Sequence, residues 1–194
     1  MTGDRSVVRV VALGNPDRGD DGAAILAARE LGEDAETILA GRPGADLLEL
    51  LTPERPCILV DVTVSGSPPG TLHQVPLEKL SPDILPDLRL STHGFGPGEA
   101  LALARTLGRP LPRGVFLGIE GESFHLGADL SPAVEAGLPR LESRIRQALE
   151  ELGKVEHEPR APLPSAGPPP GRGGERCRSP APPPAPIPPW RPEP

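Results

Sequence analysis

Aromatic side chains are scarce in this 194-residue chain, which contains three Phe, one Trp and no Tyr. The sequence therefore lacks the aromatic platforms on which single-stranded nucleic acids stack. The two cysteines, Cys57 and Cys177, are too few for a disulfide framework or a thiolate metal cluster. No apolar run approaches the roughly 20 residues of a membrane-spanning helix, and no basic segment followed by an apolar one marks a signal peptide. We expect a soluble, cytoplasmic protein without a membrane partner.

Basic residues are also few relative to acidic ones. The chain has 20 Lys and Arg against 27 Asp and Glu, which is a net charge of -7. Proteins that bind nucleic acid present an excess of positive charge to the phosphates. We therefore expect no nucleic-acid partner.

Proline is distributed unevenly along the chain. Of 29 prolines, 15 fall between Pro159 and Pro194, where aliphatic residues are nearly absent. Such a composition cannot bury enough apolar surface to offset the entropy of ordering the chain. We therefore predict a folded domain over residues 1–154 and a disordered, proline-rich tail over residues 155–194.

Apolar runs alternate with helical patterns through the predicted domain. Apolar and β-branched runs predict strands at 7–13, 37–40, 57–62, 71–75 and 115–119. Amphipathic spacing predicts helices at 21–31, 45–51, 99–107 and 131–152, the last with Ser131 as its N-cap. The run at 71–75 follows a loop of Ser, Gly and Pro and is typical of an edge strand. This order predicts an α/β fold, a three-layer α/β/α sandwich around a mostly parallel, partly mixed five-stranded sheet.

Titratable side chains gather where the predicted strands end. Asp20 and Asp21 follow the first strand and its loop, Asp61 ends the third strand, and His93 precedes the third helix. Ligands of open α/β sheets bind beyond the carboxyl ends of the strands. Two carboxylates and an imidazole suit a borderline divalent ion such as nickel or zinc. A structural interpretation competes, because Asp is also a favoured helix N-cap and one of Asp20 and Asp21 would take that role.

Two other site classes fit these residues less well. Gly14, Gly19 and Gly22 are spaced G-x4-G-x2-G, whereas a dinucleotide site requires G-x-G-x-x-G. A phosphoacceptor receiver domain also places acidic residues after its first strand and an Asp after its third. That fold needs a lysine at the end of a late strand, and the only lysines are Lys79 and Lys154. Nucleotide binding and phosphoacceptor chemistry therefore rank below metal binding.

Several short motifs occur in order between residues 7 and 152. They are G-N-x4-D-D-G at 14–22, V-D-V at 60–62, P-G-T at 69–71, S-T-H at 91–93, G-I-E-x-E-S-F at 118–124 and L-S-P-x-V at 130–134. In this order and spacing the sequence resembles the hydrogenase maturation endopeptidases, which process the large subunit of nickel-iron hydrogenases. The resemblance implies a phosphorylase/hydrolase-like fold.

The resemblance also implies an activity and a site. It implies an endopeptidase that removes a C-terminal extension from the nickel-loaded precursor of the hydrogenase large subunit, with the nickel supplied by that precursor. The metal-binding and catalytic positions of the family fall on Asp21, Asp61 and His93, and we expect a monomer. The sequence departs from the family at Asp21, where several members have Glu, at Val62, where Ala is usual, and at 40–44 (AGRPG), where an Asp-Gly-Gly type motif is reduced.

Two alternatives to the endopeptidase remain at this point. One is a domain of the same fold that recognises a nickel-loaded partner without cutting it. The other is the receiver-like phosphoacceptor domain, which labelling of Asp61 by acetyl phosphate would support. The first alternative differs from the endopeptidase only in the absence of cleavage.

Overall fold

The computed structural model describes residues 8–81 and 96–154. The strands are β1 (Arg9–Leu13), β2 (Glu36–Gly41), β3 (Cys57–Thr63), β4 (Leu72–Pro76) and β5 (Gly114–Glu120). The α-helices are α1 (Ala23–Arg29), α2 (Leu47–Leu50), α3 (Pro97–Thr106) and α4 (Pro132–Lys154). Short 3-10 turns lie at Gly19–Gly22, Gly32–Asp34, Gly44–Asp46 and Leu77–Lys79.

The strands form one sheet in the order β2-β1-β3-β5-β4. All neighbouring pairs are parallel except β4 and β5, which are antiparallel. β4 lies at the edge, where Pro76 is tolerated because its missing N–H withdraws no hydrogen bond from an inner ladder. The predicted mostly parallel sheet with a mixed edge is confirmed.

Successive side chains of each strand enter two different apolar layers, because neighbouring residues of a strand point to opposite faces. In β3, Ile58 and Val60 pack in one layer with α1 and α4. Cys57 and Leu59 pack in the other layer with α2 and α3. The result is the predicted three-layer sandwich, and the same alternation places Asp61 on the face that α2 and α3 cover.

The helices differ from the predicted ones in their bounds, and α1 and α2 are the shortest. The 3-10 turn Gly19–Gly22 precedes α1, so the α-helix begins at Ala23 rather than at residue 21. α4 continues through Pro139, whose missing N–H leaves one carbonyl of the preceding turn without its helical donor.

Some predicted features lie outside the described residues. They are His93, with its S-T-H motif, and the proline-rich tail at 155–194. In the described ranges, no helix combines the length and the apolar composition needed to cross a membrane.

Candidate active site

Asp21 lies in the loop between β1 and α1, beyond the carboxyl end of β1. Gly14 opens this loop with a φ of +112°, and a Cβ there would lie 1.9 Å from the carbonyl oxygen of Asp21. Only glycine permits so close an approach. The N–H of Asn15 then donates to the Asp21 carbonyl at 3.0 Å and to its Oδ2 at 3.1 Å. These contacts hold the Asp21 carboxylate beside the end of β1.

Asp20, the neighbouring carboxylate, joins distant segments of the chain. Its side chain is fully buried. Oδ2 accepts the N–H groups of Glu122 and Ser123, both at 2.9 Å, and Oδ1 accepts the N–H of Ser131 at 2.6 Å. Neither Asp20 nor Asp21 makes a side-chain bond that caps the 3-10 turn or α1. The N-cap interpretation is therefore wrong, and Asp20 instead fixes the segment between β5 and α4.

Asp61 lies in β3 opposite Gly118 of β5 and is only 6% exposed. Among the described residues it accepts one hydrogen bond, from the N–H of Val62 at 2.8 Å. Burial raises the pKa of Asp61 well above its ordinary value; the Asp21 carboxylate adds to this, and the Val62 N–H and the Arg42 charge oppose it. A buried carboxyl with so few partners is typical of a functional site rather than of a structural one.

Arg42 is the cation beside these carboxylates. It follows β2, whose last residue, Gly41, accepts the N–H of Gly14 at 2.9 Å. The guanidinium Nη2 of Arg42 donates to Oδ2 of Asp21 in an ion pair. The Arg42 side chain is 37% exposed and that of Asp21 is 11% exposed, so the pair lies between the site and solvent. In the sequence this segment is notable only as a reduced Asp-Gly-Gly type motif, and nothing there indicates the role of Arg42.

Glu120 is a further buried carboxylate, at the end of β5, that sequence analysis did not identify as a site residue. It accepts hydrogen bonds from the Thr63 hydroxyl, from the Ser65 N–H and hydroxyl, and from the Gly66 N–H, at 2.6–2.9 Å. His73 Nε2 lies 3.1 Å from its Oε2. Burial raises the pKa of Glu120, but the hydrogen bonds outweigh it and hold the pKa below its ordinary value. Glu120 therefore anchors the loop that follows β3.

Of the three predicted metal ligands, Asp21 and Asp61 are both buried and close enough for the Asp21 charge to act on the Asp61 carboxyl. The third, His93, lies outside the described residues. Within 8–81 and 96–154, no three Asp, Glu, His or Cys side chains are grouped closely enough to hold a metal ion. In the same ranges, Oδ1 of Asp21 and Oδ2 of Asp61 have no hydrogen-bond donor. Carboxylate oxygens that receive no donor from the described residues could serve as ligands of a divalent ion.

The sequence matches the model of a family described as hydrogenase maturation protease over residues 24–148. The chain belongs to the hydrogenase maturation protease family. It is accordingly a hydrolase, and within that class an endopeptidase. This membership confirms the resemblance and the enzyme class predicted from the sequence motifs.

Solved structures of hydrogenase maturation proteases share the fold. The hydrogenase maturating endopeptidase HybD from E. coli has a TM-score of 0.63 and 24% identity, covering 75% of this chain and 93% of that one. The NiFe hydrogenase maturation protease HybD from Thermococcus kodakarensis has a TM-score of 0.58 and 27% identity, covering 73% and 97%. The endopeptidase HycI from Escherichia coli has a TM-score of 0.53 and 19% identity, covering 77% and 91%. A comparison with curated proteins finds no significant match.

Proposed function

We propose that this hydrogenase maturation protease removes the C-terminal extension of a nickel-loaded hydrogenase large-subunit precursor. The nickel is part of the substrate, because the precursor carries it to the protease. One observation carries the proposal: Asp21, in the loop after β1, and Asp61, in the neighbouring parallel strand β3, are both buried, and among the described residues each keeps one carboxylate oxygen without a donor. Two carboxylates leave several metal positions open for ligands of the precursor.

Asp21 and Asp61 are the proposed ligands on the described side of the site, and His93 is proposed as the third from its sequence motif. The two carboxylates repel each other when both are charged, which is one reason that the pKa of Asp61 is raised. When bound, the nickel of the precursor supplies the positive charge that offsets this repulsion. Because a carboxylate binds a metal in its charged form, the raised pKa of Asp61 makes nickel binding weaker as pH falls.

The hydrogen bonds narrow the choice of a catalytic base. Both oxygens of Asp20 accept backbone N–H groups, so Asp20 has no free direction toward a water molecule or a scissile peptide. Asp21 and Asp61 each keep one oxygen without a donor among the described residues. We therefore assign base chemistry to the Asp21–Asp61 pair and a structural role to Asp20.

The intact mass of a cognate large-subunit precursor, measured after incubation with this protein, tests the proposal. The precursor is supplied nickel-loaded and nickel-free. We expect the mass to fall by a C-terminal peptide only for the loaded form. The variants Asp61→Asn and His93→Gln should slow this loss by at least about 100-fold, since even outer-shell groups of metal sites contribute about 10-fold to 100-fold.

Glu54→Gln is the matched control for Asp61→Asn. Glu54 is an exposed carboxylate in the loop before β3, at the opposite edge of the sheet, and its variant should process the precursor at the wild-type rate. Equal processing of nickel-free precursor would contradict the proposed role of the metal. Unchanged processing by Asp61→Asn would contradict the proposed site. No mass change with a correctly loaded cognate precursor would favour a domain that recognises its partner without cutting it.

A further inference from the structure

Arg42 is placed at the site by the backbone and not only by its own flexibility. β2 pairs in parallel with β1, and Gly41 at its end adopts a φ of +62°. The Gly41 carbonyl accepts the N–H of Gly14, the residue that opens the Asp21 loop. The ends of β2 and β1 are thus bonded to each other, and the next side chain along β2 reaches Asp21.

The guanidinium is the more exposed partner of its ion pair with Asp21. Oδ2 of Asp21 accepts the inner N–H of Asn15 and the outer Nη2 of Arg42. The Arg42 charge also acts on Asp61, because it opposes the rise in pKa that burial causes in the Asp61 carboxyl. A divalent ion bound between Asp21 and Asp61 would lie close to this like charge, and like charges repel at short range.

Arg42 is nevertheless free to leave. Its side chain is 37% exposed, and among the described residues Asp21 is its one hydrogen-bonding partner. Water can solvate the guanidinium once it leaves, but the buried Asp21 carboxylate then needs another cation. Docking of a large partner that carries its own cation supplies both that cation and the free energy to displace the guanidinium into solvent.

We propose that Arg42 is a resident counter-cation that keeps free divalent ions off the Asp21–Asp61 pair until a metal arrives mounted in the protein substrate. This inference rests on the proposed function of the site. A free ion must displace the guanidinium with its coordination energy alone, whereas a mounted ion adds the binding energy of the whole protein surface. Arg42 would then make the site selective for a metal bound in the precursor over the same metal free in solution.

Nickel binding in the absence of any precursor tests this role directly. NiCl2 is titrated calorimetrically at pH 7 into the untagged full-length protein, its Arg42→Gln variant and its Arg42→Lys variant. We expect Arg42→Gln to lower the Kd for nickel by about tenfold or more, because the competing and repelling charge is gone. Arg42→Lys keeps a cation at the site and should stay near the wild-type Kd.

Arg55→Gln controls for the change in net charge. Arg55 is an exposed arginine that pairs with Glu36 near the other end of β2, so its removal also takes one cation from a carboxylate, which keeps its pair with Arg9, away from the site. Its nickel affinity should equal that of the wild type. The double variant Arg42→Gln/Asp61→Asn locates the effect, since the gain in affinity should disappear when Asp61 loses its charge.

Two results would overturn the inference. One is an Arg42→Gln variant that binds nickel no more tightly than the wild type. The other is a gain in affinity that persists in the double variant, which would place the bound nickel elsewhere. Either result leaves the cleavage of a loaded precursor untouched, so the role of Arg42 can fail while the proposed function stands. A failure of cleavage would in turn leave the calorimetric result unchanged.

Discussion

Replacement of Asp20 by Asn tests whether this buried carboxylate is structural. Oδ2 accepts the N–H groups of Glu122 and Ser123, and Oδ1 accepts that of Ser131. Asn has one carbonyl oxygen, which can face either the pair of donors or the single donor. In the better orientation the amide oxygen keeps Glu122 and Ser123, and the amide nitrogen points at the N–H of Ser131. Two donors then face each other in a fully buried position.

The magnitude follows from the bonds that change. A hydrogen bond to a charged group contributes about 1.5–3 kcal/mol, and a buried donor left without a partner costs about 1–3 kcal/mol. The variant loses one such bond, weakens two others and leaves the N–H of Ser131 unsatisfied. Removal of the buried charge recovers part of this loss. We expect the free energy of unfolding to fall by about 3 kcal/mol, or Tm by roughly 6–12 °C for a domain of this size.

Urea denaturation at pH 7, followed by far-UV circular dichroism, measures the change. Circular dichroism reports on the helices and strands of the domain, whereas the single tryptophan, Trp190, belongs to the proline-rich tail predicted from the sequence. Asp129→Asn is the control, since Asp129 is exposed in the same segment between β5 and α4. A free energy of unfolding for Asp20→Asn within about 0.5 kcal/mol of the wild type, the range usual for surface substitutions, would refute the assigned structural role.

Two further predictions concern stability against pH, measured as urea midpoints from pH 4 to pH 8. The raised pKa of Asp61 means that the native state holds this proton more tightly than the unfolded chain, so the contribution of Asp61 falls as pH rises above about 3.8. Asp61→Asn should therefore be more stable than the wild type at pH 8, with a smaller gain at pH 4; a loss of stability at pH 8 would contradict this. The lowered pKa of Glu120 has the opposite sign, so its contribution is present above about 4.5 and is lost as pH falls through the native value. Glu120→Gln should destabilise the protein at pH 7 and less so near pH 4, and a pH-independent difference would contradict the hydrogen-bonded carboxylate.

The sheet and the adjacency of two site residues were predictable because both depend on local patterns. A run of β-branched residues predicts a strand whichever strand it pairs with. The carboxyl ends of parallel strands lie at the same end of the sheet. On this ground Asp21 and Asp61 are expected close together from the sequence. The prediction of the first helix was less accurate, because residues 19–22 form a 3-10 turn. The buried aspartates of this turn accept hydrogen bonds from other segments and do not cap the helix.

The roles of the remaining polar residues depend on contacts that no local pattern shows. The donors to Asp20 lie 102 to 111 positions away along the chain. The donors to Glu120 belong to the last residue of β3 and the loop after it, and they lie 54 to 57 positions away. Glu120 ends an apolar run as Asp61 does, so that one signal was available. A position at the end of an apolar run does not distinguish a structural carboxylate from a reactive one. That difference depends on how many hydrogen-bond donors the folded chain places around the carboxylate.

The four buried carboxylates at the carboxyl end of the sheet differ in how many hydrogen-bond donors surround them. Asp20 and Glu120 are surrounded by backbone and hydroxyl donors, which compensate their charge and leave no oxygen for other chemistry. Asp61 receives one donor from the described chain, and one of the two donors to Asp21 is the exposed and displaceable Arg42. Within 8–81 and 96–154, the fold therefore satisfies the two carboxylates that hold the loops and leaves one oxygen of Asp21 and one of Asp61 without a donor. A buried pair left in this state is destabilising on its own, and a cation carried in by a partner removes that penalty. A site that is completed by its metal-carrying substrate explains both the carboxylate oxygens without donors and the displaceable Arg42.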